Sequence, residues 1–76
     1  MIKKNTIIYG AISDKISVIE DIIFYSEGIF GCDMVRFNIT QDDGYRQLHL
    51  GFDEVVGEFA KLLNTGEIVV LGQLED

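Results

Sequence analysis

Ser13-Asp14-Lys15-Ile16-Ser17-Val18-Ile19-Glu20-Asp21-Ile22-Ile23-Phe24-Tyr25-Ser26-Glu27-Gly28, residues 13–28, is the segment on which the fold turns. A short oxygen side chain at Ser13 or Asp14 suits a helix start, because it accepts amide hydrogens that the first turn leaves unpaired. From there Ile16, Ile19, Ile22, Ile23, Ser26 and Ile29 or Phe30 recur at helical spacing, with Ser17, Glu20, Asp21 and Glu27 on the other side. Gly28 and Gly31 end the run. The spacing predicts an amphipathic helix. Phe24 falls on its polar side, a candidate contact residue.

On the N-terminal side, residues 6–12 are rich in β-branched and aromatic side chains and read as a strand. On the C-terminal side, residues 33–40 alternate: Val35, Phe37 and Ile39 face one way, Met34, Arg36, Asn38 and Thr40 the other. Asp43-Gly44 signals a hairpin, since a two-residue type I′ turn needs residues that tolerate positive φ. With that turn, residues 45–50 return as a strand, Ile39 pairs with Leu48, and Phe37 pairs with Leu50. Phe52, Val55, Val56, Phe59, Leu62 and Leu63 form the stripe of a second helix over residues 52–63, stopped by Asn64-Thr65-Gly66. Residues 67–74 close the chain as a strand.

The order is then β-α-β-β-α-β. It predicts an α+β, ferredoxin-like sandwich: a four-stranded antiparallel sheet, order 4-1-3-2, with two helices on one face. Seventy-six residues make one domain, residues 1–76. On the open face of the sheet the hairpin would carry Arg36, Asn38, Thr40, Tyr45, Gln47 and His49. The outer strands are apolar on both sides, with Ile7, Tyr9, Ala11, Val69 and Leu71 against Ile8, Ile12, Ile68 and Val70. A solvated face does not look like that, so a second copy or a protein partner is expected over it.

Composition narrows the function classes. Six Lys and Arg stand against thirteen Asp and Glu, for a formal charge of −7 and a pI near 4.4. Direct binding to nucleic acid or to an anionic membrane needs a basic face, and this chain has none to offer. A single cysteine excludes an internal disulfide and fits a reducing compartment. No apolar run approaches the ~20 residues of a membrane span, and the run after Lys3-Lys4 is too short for a signal peptide. The chain reads as cytoplasmic and unprocessed.

Catalytic and cofactor signatures are missing. Cys32 reads as a small apolar residue and His49 as a surface polar one, far apart in the expected layout. Asp42-Asp43 serves a turn, the glycines are scattered, and no metal-ligand spacing occurs. Ile7-Ile8-Tyr9-Gly10-Ala11-Ile12 looks a little like the first motif of RNA-recognition domains. Tyr45-Arg46-Gln47-Leu48-His49-Leu50 lacks the aromatic and basic partner motif. A non-enzymatic chain without cofactor or metal is expected.

Strand 1, then Asp14-Lys15-Ile16-Ser17-Val18-Ile19 and a long amphipathic segment, resembles the opening of ACT domains, whose motif reads Asp-x-Pro-Gly-Val-Leu at that point. The later elements match in length and order, over about residues 6–75. Ile16 and Ser17 replace the family's Pro and Gly. The resemblance implies the ferredoxin-like fold, side-by-side or face-to-face pairing and an amino-acid-like ligand, with Ser13, Asp14, Lys15 and Ser17 as the ligand loop. Amides at a helix N-terminus there would favour a carboxylate. Two functions follow as expectations. One is a regulatory ACT-like module that dimerises through its sheet and senses such a ligand. The other is an acidic inhibitor, of the phage or mobile-element kind, that occupies the basic cleft of a nucleic-acid-handling enzyme. The partner surface would then include Asp42, Asp43, Asp53, Glu54 and Glu58, with Val69 and Leu71 on the sheet.

Overall fold

A computed structural model describes residues 2–28 and 31–75. The elements are β1 (Thr6–Tyr9), β2 (Ile16–Glu27), β3 (Cys32–Asp42), β4 (Gln47–Val55), α1 (Val56–Thr65) and β5 (Val69–Gln73). Among the described residues they form one five-stranded antiparallel sheet in the order β4-β3-β2-β1-β5, with a single helix. The ferredoxin-like β-α-β-β-α-β sandwich with a four-stranded sheet in order 4-1-3-2 and two helices is therefore corrected. β1 to β4 are a meander, and α1 carries the chain back across the sheet to β5 at the far edge.

The decisive difference lies in the opening segment. Residues 16–27 are a twelve-residue strand, not the first helix. Seven of the ten residues from Ile16 to Tyr25 are β-branched or aromatic, which suits a pleated surface better than a helix. The apparent helical spacing comes from a bulge between Ile19 and Asp21. One extra residue there shifts the strand's alternation, so inward positions run Ser17, Ile19, then Ile22 and Phe24. A three-residue step inside a two-residue period imitates one helical turn. Ile29 and Phe30, expected in the last turn of that helix, lie outside the described residues.

The hairpin is shifted as well. Asp42 pairs with Gln47, so the loop holds four residues, not two, and Ile39 meets Leu50 while Phe37 meets Phe52. Asp42 Oδ1 accepts the Gly44 amide at 2.8 Å; Asp43 Oδ1 accepts those of Tyr45 and Arg46 at 2.9 and 3.0 Å. Gly44 sits at φ +92°. The register moves by two residues, so each side chain keeps its face. The second helix is shorter than its apolar stripe: Phe52 and Val55 belong to β4, and α1 starts at Val56. Gly66 ends it in a left-handed turn whose amide reaches Leu63 O.

The core lies between α1 and one face of the sheet. Ile8, Ile19, Val35, Phe37, Ile39, Phe59 and Ile68 are buried. Phe37 joins the layers: its ring is 5.1 Å from Phe52 across the strands and 4.6 Å from Phe59 on the helix, centroid to centroid. β5 is fixed to the start of the chain. Leu74 donates its amide to Asn5 O, Gln73 Nε2 donates to Lys4 O, and Thr6 Oγ1 donates to Gln73 Oε1, at 2.7–2.8 Å.

Candidate interaction surface

β1 is four residues long and pairs with β2 only through Ile16, Ser17 and Val18. Asn5 donates its amide to Ile19 O at 2.7 Å. Beyond that point, among the described residues, no strand pairs with the outer edge of β2 from Asp21 to Glu27. Its other edge is fully paired to β3. Backbone amides and carbonyls on a free edge are a template for another strand.

The face beside this edge is also uncovered. α1 lies over β3 and β4, so Ile22 is only half-buried and Phe24 is 72% exposed. Between them and the helix runs an almost wholly apolar groove of about 340 Å³, lined chiefly by Ile22, Phe24, Val35, Val56, Phe59 and Leu63. A large exposed ring at the mouth of an apolar groove departs from ordinary surface packing.

The opposite face of the sheet is mixed. Arg36, Asn38 and Thr40 of β3 lie beside Gln47, His49, Gly51 and Asp53 of β4, whereas Tyr45 stands in the loop, almost fully exposed. Gly51 leaves the space in which the Arg36 guanidinium lies; a Cβ there would meet it. Arg36 Nη1 donates to Asp53 Oδ2 at 2.9 Å. Partial burial, a hydrogen bond to Asp53 and the negative charges of Asp53 and Glu27 raise the Tyr25 phenol above its ordinary value of 10.0. Thr40 is buried and donates to Glu20 Oε1 at 2.9 Å; His49 Nδ1 is 3.4 Å from its hydroxyl. No group of three or more His, Cys, Asp or Glu suited to a metal occurs among the described residues.

The expected ligand loop does not form around a helix start. Ser13, Asp14 and Lys15 are exposed in the turn before β2, with Ser13 at φ +58°. Ser17 is fully buried, and its hydroxyl accepts from Gln41 Nε2 at 3.0 Å, while Gln41 also donates to Ile12 O. Ser17 and Gln41 thus satisfy each other inside the sheet.

The expected acidic surface divides between two ends. Asp42 and Asp43 cap the β3–β4 loop, where the Tyr45 and Arg46 amides hold the Asp43 carboxyl below the usual carboxylate range. At the other end of the sheet the register places Asp53 and Glu27 on the open face and Glu54 and Asp33 on the helix side, with Glu58 in the first turn of α1. Glu58 meets Lys61 at 3.2 Å. Val69 and Leu71 are exposed on β5, at 41% and 53%. Sequence reasoning missed the β2 edge, Glu27 and Asp33; only the Ile-Ile-Phe-Tyr run pointed there.

No helix among the described residues is long and apolar enough to cross a membrane. Comparison with protein-family models, with curated proteins and with solved structures finds no match to this chain.

Proposed function

We propose that this chain is a non-enzymatic protein-interaction module that binds by strand addition along the outer edge of β2. One observation carries the reading: an unpaired strand edge and an unfilled apolar groove adjoin each other at Ile22 and Phe24. An incoming strand gains main-chain hydrogen bonds from the edge, and its alternate side chains fill the groove against α1.

A second reading, the acidic occupant of a basic enzyme cleft, draws on Glu27, Asp33, Asp53, Glu54 and Glu58 lying at one end of the sheet, on its two faces. The two readings use different residues and so separate experimentally. Capture from a host extract on the parent protein and on Phe24→Glu tests the first. Phe24 is mostly exposed, so the variant should keep the parent's circular dichroism while losing a stoichiometric polypeptide, whether a copy of itself or another chain. Equal capture by both proteins refutes strand addition at β2.

A further inference from the structure

We infer that a second copy of this chain packs face to face on the β1–β5 end of the sheet, on the side that α1 does not cover. This contact is separate from strand addition at β2 and uses none of its residues.

Tyr9 pairs with Ile16 on β2 and with Val69 on β5. Side chains of directly opposed residues on neighbouring strands point to the same face. The three therefore stand in one row, and all are exposed: Tyr9 by 38%, Ile16 by 56% and Val69 by 41%. Ile7 and Val18, paired with each other on the same face, lie half-buried behind the row. Ile8 points the other way and is fully buried. The flanking segments also turn to the helix side, where Ile2, Ala11 and Ile12 pack against the core. An apolar row of this kind is out of place on a solvated sheet face.

Surface, charge and symmetry all fit a second copy there. The chain exposes 5306 Å², whereas a compact monomer of 8.6 kDa exposes about 4,700 Å². The excess of about 600 Å² approaches the ~800 Å² that each partner gives to a stable interface. The chain's negative charge lies mostly outside this end. Residues 2–19 and 66–75, which build it, carry Lys3, Lys4 and Lys15 against Asp14, Glu67 and Glu75, whereas residues 20–65 carry nine acids against Arg36, Arg46 and Lys61. Two copies thus meet here neutral against neutral. Along β2 a second copy would meet Glu20, Asp21 and Glu27 instead. Finally, the row reads aliphatic, aromatic, aliphatic from β2 to β5. A twofold axis through Tyr9 along the strands sets Ile16 over the partner's Val69. An axis across the strands sets each side chain over its own counterpart. Apolar meets apolar in both, which is the self-complementarity that an isologous interface requires.

Sedimentation should show the parent as a concentration-dependent dimer. Ile16→Glu and Val69→Glu alter side chains that one copy alone leaves exposed, so each should keep the parent's circular dichroism. Each should weaken self-association about tenfold or more, because the new carboxylate is buried without a partner. Phe24→Glu at the β2 edge should leave the dimer intact. In a Cys32→Ser background, Tyr9→Cys should join two copies through a short bismaleimide that spans the ~10 Å between stacked sheets, and Phe24→Cys should not. A parent that stays monomeric at high concentration overturns the inference and leaves strand addition at β2 standing. A dimer that survives both Ile16→Glu and Val69→Glu also overturns it. So does one that is lost with Phe24→Glu but kept with Ile16→Glu, which would move the second copy to the β2 edge.

Discussion

Replacing Phe37 with alanine should remove a large part of the protein's stability, whereas the same change at Phe24 should remove little. Phe37 is 2% exposed, stacks on Phe52 and packs against Phe59, so it holds sheet and helix together. A Phe-to-Ala change at a buried site costs about 3–5 kcal/mol, part lost transfer energy and part cavity. A domain of this size has a total stability of about 4–11 kcal/mol. Phe37→Ala therefore consumes roughly half of it, and at the low end unfolds the chain. Phe24 keeps 72% of its surface in water. Truncating it forfeits only a minor share of the ~1.5–3 kcal/mol that full burial brings, about 0.5–1 kcal/mol. Urea titration followed by circular dichroism, at a concentration low enough to suppress self-association, gives both values under one slope. A Phe37→Ala loss within about 1 kcal/mol of the parent, or a Phe24→Ala loss as large as that at Phe37, would refute the assignment of the core.

Three further outcomes are expected. Gly44→Val should lower the melting temperature, because a β-branched residue at φ +92° costs about 1–2 kcal/mol or opens the loop; an unchanged melting temperature would mean that the loop conformation is misassigned. Asp53→Asn should bring the Tyr25 phenol back toward its ordinary value, read by ultraviolet titration. Since the folded phenol sits above the unfolded one, its hydrogen bond contributes below the unfolded value and is lost as pH rises through the folded value. Salt should separate the two binding modes. Added salt should leave strand addition on the apolar β2 edge little changed but weaken binding to a basic cleft, where the triple variant Asp53→Asn, Glu54→Gln and Glu58→Gln should also bind less tightly.

The parts of the fold legible in the sequence are those whose period is undisturbed. β3 alternates without interruption from Val35 to Thr40, and a two-residue register error cannot move its side chains to the other face. Gly44 in a left-handed turn follows from local chemistry alone. The opening segment reads as a helix because a bulge mixes a three-residue step into a two-residue period, and periodicity then outvotes the β-branched composition that points the other way. The stripe from Phe52 to Leu63 is consistent with a helix throughout. What ends β4 at Val55 is the pairing of Phe52 with Phe37 and Val55 with Met34, contacts that no local pattern carries. The candidate surface was hidden for the same reason. A free edge exists only because β1 is short and α1 lies over β3 and β4, and both are properties of the assembled sheet.

The join between β5 and the start of the chain sets an order of events. Thr6 and Gln73 are 67 positions apart, and Gln73 and Lys4 are 69 apart, whereas β1 to β4 are successive antiparallel neighbours. Closing a long loop costs entropy before any contact returns it, so the meander assembles first and β5 docks last. On the ribosome the interval is longer still, because β5 is synthesised after everything it pairs with. Until it arrives, β1 shows Ile7 and Ile8 on a bare edge and the nascent sheet is adhesive on that flank too. A variant that removes the Gln73 side chain loses two of the hydrogen bonds that fix β5 and so lengthens the exposure to misassembly.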